Sequence, residues 1–211
     1  MRVKDTKPAY WDEAKNYLSE SDSVISKIIC NQKNDTFLTC KYTGFQTFFK
    51  IILGQQISIE AASSIEKRIR KKIKPITPKK IINIADRDLR ESGLSFRKIR
   101  YIKEIAETYI NNSRFFLKLK LLSDSEAIKL LSTLYGIGPW SAEMFLIFQL
   151  NRQNILPTGD VGLINSFCKN YQIDKKDFLM EISKQKQVWK PYCTVATWYL
   201  WRDIDEDTVQ Y

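Results

Sequence analysis

Leu134-Tyr135-Gly136-Ile137-Gly138-Pro139-Trp140-Ser141-Ala142 runs on through Met144 and Phe148. It is followed by Leu156-Pro157-Thr158-Gly159-Asp160. Two glycines one residue apart stand between two helical patterns. Upstream, Ser123 and Glu126 have capping-box spacing and open a run with apolar Ile128, Leu130, Leu131 and Leu134. Downstream, Pro139 suits the first turn of a new helix. On that helix Trp140, Met144 and Phe148 share one face. The pattern is helix, tight glycine bend, helix. Glycine permits positive φ and close backbone approach. The helix start after the bend offers free N–H groups to an anion.

The remainder of the chain agrees with a helical protein. It has 211 residues, enough for one large or two small domains, and 44% are hydrophobic. No alternating apolar–polar run long enough for a sizeable sheet is present. Helices are expected over residues 9–31 (two short ones), 45–55, 59–73, 78–84, 86–93, 96–111, 124–134, 139–150, 160–171 and 175–185. A last one is expected from Pro191 to Arg202. Ser58, Thr77, Asp86 and Ser95 are the expected caps. Loops are expected at 32–44, 112–122 and 151–159. The class is all-α, with about ten helices by this periodicity.

The formal net charge is +10. Lys67, Arg68, Arg70, Lys71, Lys72, Lys74, Lys79 and Lys80 form a run with no acid among them. Arg97, Lys98, Arg100 and Lys103 form a second group. Acids collect at Asp203, Asp205, Glu206 and Asp207. Such asymmetry suits a nucleic-acid partner, whose phosphates attract cations without regard to sequence. A solvated helix face reads the same way.

Cys30, Cys40, Cys168 and Cys193 have neither zinc-site nor iron–sulfur spacing, and fit reduced, mostly buried thiols. No leader is evident in Met1-Arg2-Val3-Lys4-Asp5, and no apolar run approaches membrane-spanning length. The expectation is a protein of the cytoplasm, associated with the nucleoid, or of the nucleus, and not a secreted one. Histidine is absent. That excludes triad catalysis through histidine and histidine metal sites, leaving acid–base work to carboxylates, Lys, Tyr or Cys.

Taken together, these motifs resemble the helix-hairpin-helix DNA glycosylase superfamily, with its Gly/Pro-rich loop and catalytic aspartate. Within it they resemble the 3-methyladenine DNA glycosylase II family. Gly54-Gln55-Gln56-Ile57-Ser58 is similar to that family's Gly-Gln-Gln segment. Trp189-Lys190-Pro191-Tyr192, with Trp201-Arg202 further on, is similar to its C-terminal motif. The resemblance spans residues 45–202. Longer relatives carry a β-rich domain ahead of it, for which this chain leaves no room. The implied fold is all-α and two-lobed, with the active site in the interlobe cleft. The implied lobes are residues 58–150, and residues 1–57 together with 151–211.

The resemblance implies a role for each matching position. Asp160 is the catalytic carboxylate. Breaking a base–sugar bond builds positive charge on the sugar, which a fixed carboxylate stabilises. An ordinary helix cap is the plainer reading of a Gly-Asp at this place. Trp140 stands where bifunctional relatives of the endonuclease III and 8-oxoguanine types carry a Schiff-base lysine, which implies a monofunctional enzyme. Trp140, Met144 and Trp201 would form the base pocket, since electron-rich rings attract cationic alkylated purines. Helical spacing alone would make both tryptophans core residues. Gln56, with Ile57 beside it, would fill the gap left by a flipped base. Gly136, Gly138 and Ser141 would hold a DNA phosphate. A monovalent cation on the hairpin carbonyls is the one metal the resemblance allows, and no cofactor is implied.

The expectation is therefore a monofunctional, monomeric DNA glycosylase. Its substrate would be double-stranded DNA carrying damaged bases such as 3-methyladenine or 7-methylguanine. Its rivals are a helix-hairpin-helix DNA-binding module without chemistry, and a glycosylase for deaminated or oxidised bases.

Overall fold

The computed structural model describes residues 7–32 and 37–204. Residues 1–5, read above as carrying no leader, and Asp205, Glu206 and Asp207 lie outside them. The described residues contain helices and no strand, and no helix is long and apolar enough to cross a membrane. They fall into two compact units. One covers residues 41–150; the other joins the residues up to Cys40 with those from Asn151 onward.

The chain starts in the second of these units, with α1 (Trp11–Ser21) and α2 (Ser23–Asn31). The central unit then holds α3 (Gly44–Gly54), α4 (Ile59–Lys72), α5 (Pro78–Asn83), α6 (Asp86–Glu91), α7 (Phe96–Asn111), α8 (Ser113–Lys118), α9 (Asp124–Leu131) and α10 (Pro139–Phe148). Helix α3 is buried nearly all round, through Phe45, Thr47, Phe48, Phe49, Ile51, Ile52 and Leu53, and packs on α7 and α10. Phe48 stacks on Phe145 of α10 at 4.1 Å between ring centroids. That packing explains a boundary the sequence misplaced: residues 41–57 group with the central unit, not with the N-terminal helices.

The second unit continues with α11 (Val161–Tyr171), a 3-10 turn (Lys175–Asp177), α12 (Phe178–Trp189) and α13 (Cys193–Ile204). Every residue of α13 from Cys193 to Leu200 is buried, as expected of a helix that is apolar all round. It packs on α11 and α2. Asp22, 6% exposed, ties three elements together. Its Oδ1 caps α2 by accepting from Val24 N and Ile25 N, and its Oδ2 accepts from Tyr171 Oη (2.5 Å) and Trp189 Nε1 (2.8 Å). Burial, and then the bond to Asp22, push the Tyr171 phenol well above its ordinary range.

Three local readings change. The expected linker at 112–122 contains α8, because Phe116 stacks on Tyr109 of α7 at 3.7 Å and draws that segment into structure. Ala85, not Asp86, occupies the cap position of α6. The last helix begins at Cys193, not at Pro191, since Tyr192 N closes a turn on Trp189 O before the helix starts. The capping boxes at Thr43/Gln46 and Ser123/Glu126 and the caps at Ser58, Thr77 and Ser95 are formed as side-chain hydrogen bonds.

Candidate functional site

The loop ahead of Asp160 is fastened before it reaches the carboxylate. Thr194, at the start of α13, donates from its hydroxyl to Arg152 O (2.6 Å) and accepts from Ile155 N (2.9 Å). Its backbone N–H donates to Gln153 O. Leu156 and Pro157 are buried, and Asp160 N turns back onto Pro157 O at 2.9 Å. Asp160 thus arrives at the start of α11 as its cap. One carboxylate oxygen, Oδ1, accepts from Leu163 N (2.8 Å). The same oxygen accepts from Trp201 Nε1, also at 2.8 Å. Both side chains belong to half-buried residues. Two residues singled out 41 positions apart therefore meet directly. The cap role and the proposed reactive role fall on one side chain.

The hairpin belongs to the central unit. Ile137 N donates to Leu134 O across the bend (3.1 Å), and Ile137 is buried. Gly136 has φ +83°, and a β-carbon there would lie 2.2 Å from the Tyr101 ring. Glycine is thus demanded twice, by conformation and by space. Gly138 differs: its φ is −90°, and nothing lies within 4 Å of where a β-carbon would stand. It caps α10 with no side-chain bond, ahead of an N1 proline. The first-turn N–H groups of that helix have no partner within the helix. Tyr135 is 44% exposed, meets Tyr101 edge to face at 5.1 Å, and carries the Arg100 guanidinium 4.3 Å above its ring.

A residue that sequence reasoning passed over holds this bend to the Gly-Gln-Gln segment. Gln55 Nε2 donates to Gly136 O (3.0 Å) and to Ser141 Oγ (2.9 Å). Lys98 Nζ in turn donates to Leu53 O and Gln55 O at 2.7 and 2.8 Å, closing the end of α3. Desolvation pulls the Lys98 pKa below the usual lysine value. Lys98 was counted with the basic groups facing a nucleic acid; its ammonium faces protein carbonyls instead. Ser141 is 3% exposed and its hydroxyl accepts from Gln55, so the side chain is turned into the protein and not presented to the expected phosphate. The Gly136 carbonyl faces an N–H donor, and Leu134 O already closes the turn.

Next to Gln55, Gln56 is exposed and left-handed at φ +58°, and Ile57 is 37% exposed. Trp140 is half-buried. Met144 is 1% exposed and presents no surface to a ligand, which removes it from the expected base pocket. It follows the fully buried stripe of α10. Among the described residues no group of three or more His, Cys, Asp or Glu side chains could hold a metal ion.

The basic run is less bare in space than along the chain. Glu66 bonds Lys50 and Arg70, Lys72 bonds Asp88 and Glu91, and Lys103 bonds Asp86. Lys67, Lys71, Lys74 and Lys79 are exposed. Part of the cationic signal is thus spent on internal ion pairs, which periodicity could not show.

A family model described as the HhH-GPD superfamily base excision DNA repair protein matches residues 49–191. This chain belongs to that superfamily. The match takes in the Gly-Gln-Gln segment, the hairpin and Asp160. A Schizosaccharomyces pombe relative named DNA-3-methyladenine glycosylase 1 is 30% identical over 189 residues, covering 88% of this chain and 82% of the relative. A Bacillus subtilis relative is 29% identical over 181 residues, 81% of this chain; the match spans 62% of that relative's length. Among solved structures, the S. pombe 3-methyladenine DNA glycosylase in complex with abasic DNA superposes with a TM-score of 0.75 at 28% identity. The match covers 94% of this chain and 98% of that one. In this HhH-GPD chain the residues missed from sequence are Gln55, Lys98, Tyr101 and Gly162. Only Gly162 carried a local signal: a glycine one residue inside a helix start is unfavourable unless something needs the space.

Proposed function

We propose that this HhH-GPD protein is a monofunctional DNA glycosylase that hydrolyses the N-glycosidic bond of alkylated purines in double-stranded DNA, leaving an abasic site. The observation that carries the reading is the Asp160 carboxylate, half-buried at a helix start and held by two N–H donors. A carboxylate so fixed stabilises positive charge as it develops on the deoxyribose. It can also orient the attacking water. The names of the relatives support alkylated bases as the substrate class. 3-Methyladenine and 7-methylguanine are cationic and leave readily, which suits a chain with no histidine to protonate the departing base.

The other parts follow. The base must leave the stack before it can react. Gln56, exposed and left-handed, with Ile57 beside it, fills the vacated position. Trp140 and Trp201 are the aromatic surfaces for a cationic base. Trp140 brings no amine, so no Schiff base forms at that position. The N–H groups that open α10, after Gly136 and Gly138, take a backbone phosphate. The protein acts as a monomer where the genome lies, in nucleoid or nucleus.

The test is base release from single-lesion duplexes bearing 3-methyladenine, 7-methylguanine, a deaminated base or an oxidised base. Wild type is expected to release the two alkylated purines and to give no borohydride-trapped adduct. Asp160→Asn should lower release by about a hundredfold or more while still binding DNA. If wild type and Asp160→Asn both bind and neither releases any base, the chain is a DNA-binding module. If release is confined to deaminated or oxidised bases, the substrate class is wrong.

A further inference from the structure

We infer that Trp201 and Gly162 are positioning residues for Asp160. The Trp201 indole N–H fixes the rotation of the carboxylate, and the missing side chain of Gly162 gives the ring room to reach it. This rests on the function proposed above and adds a role to a tryptophan read there as a pocket surface.

A lone helix cap leaves a carboxylate free to rock about the one bond it makes. Here a second donor comes from another helix. Leu163 N of α11 and Trp201 Nε1 of α13 both lie 2.8 Å from Oδ1. Both converge on one oxygen, so the carboxylate is held from two helices and not from its own alone. Such bonds to a charged acceptor are the stronger kind. The indole's edge is thus committed to Asp160, whatever its face does.

Gly162 explains how the ring gets there. Its φ is not left-handed, so conformation does not require glycine. Space does. A β-carbon at 162 would lie 3.1 Å from Asp160 Oδ1, 3.3 Å from Trp201 Cδ1 and 3.5 Å from Trp201 Nε1. The first two distances are tighter than most β-carbon contacts, so Asp160 or Trp201 must give by a few tenths of an ångström, and either shift bears on the bond between them. Glycine is otherwise a poor choice in a helix. Rates are sensitive to small displacements of a reacting group, so a methyl group here reaches the chemistry without touching substrate.

Two readouts test this. In 15N–1H spectra of the five tryptophan side chains, the Trp201 indole signal is identified by its loss in Trp201→Phe. It should exchange slowly with solvent and move in both Asp160→Asn and Gly162→Ala. In single-turnover base release, Trp201→Phe and Gly162→Ala should each slow the reaction about tenfold, the worth of one charge-assisted hydrogen bond. Affinity for the lesion duplex should stay unchanged in Gly162→Ala, which leaves the indole face in place. The double variant should be no slower than Trp201→Phe alone, because the methyl group has nothing left to disturb. An indole signal that ignores Asp160→Asn overturns the inference. So do rate losses that multiply in the double variant, or a Gly162→Ala protein that loses affinity and keeps its rate. If wild type releases no base, the proposed function falls, and the indole signal still decides the positioning role by itself.

Discussion

Gly136 and Gly138 look alike in the sequence and do different work. Gly136 combines a left-handed backbone with a tyrosine ring where its side chain would be. Gly138 has an ordinary φ and open space. Gly136→Ala is therefore expected to cost more than about 2 kcal/mol, read as a lower midpoint in urea. Gly138→Ala should stay within about 0.5 kcal/mol. Equal losses would mean that Tyr101 does not pack as described. The motif announced both glycines but could not rank them, because the ranking depends on a ring 35 positions upstream. The same limit hid Gln55. A Gly-Gln-Gln segment points to its second glutamine as the one that reaches outward. The inward task of the first shows only once Gly136 O and Ser141 Oγ stand beside it.

At the scale of helices, caps and apolar faces made most of the fold readable. Ser58, Thr77, Ser95 and Ser123 each start the helix they precede. Helix α4 is the exception. Of its isoleucines only Ile69 is buried, and Ile59 is 41% exposed. Part of what holds it is an ion pair network. Burial tends to raise the pKa of Glu66, but the Lys50 charge, with hydrogen bonds to Lys50 and Arg70, outweighs it and leaves the pKa below the ordinary value of 4.5. A carboxylate whose pKa is lowered by folding stabilises the fold fully above its unfolded value, and that contribution disappears as pH falls through the folded one. Glu66→Gln should accordingly be less stable than wild type near neutrality, by about 2 kcal/mol. The gap should close as pH drops below 4.5. Urea midpoints across that range measure it; a gap that persists undiminished in acid would remove the ion pairs from the account.

For the whole molecule, composition predicted reduced, mostly buried thiols, and the described positions agree: Cys40, Cys168 and Cys193 are buried and Cys30 is exposed. Burial pushes the Cys193 thiol up to about 11 and raises that of Cys168 as well. A thiol reagent at neutral pH should thus titrate Cys30 rapidly in the native protein, and all four cysteines only after unfolding. Rapid reaction of Cys193 in the native state would contradict its packing. The boundary between units was the least legible feature, since α3 joins the central unit through aromatic stacking that has no signature along the chain. That same helix is capped by Gln55, whose amide reaches the bend at 134–138 while Lys98 clamps its carbonyl. Two loops distant in sequence are therefore joined like the jaws of one calliper. Loosening either Gln55 or Lys98 would unfasten both loops together, since the same few side-chain bonds serve the two of them.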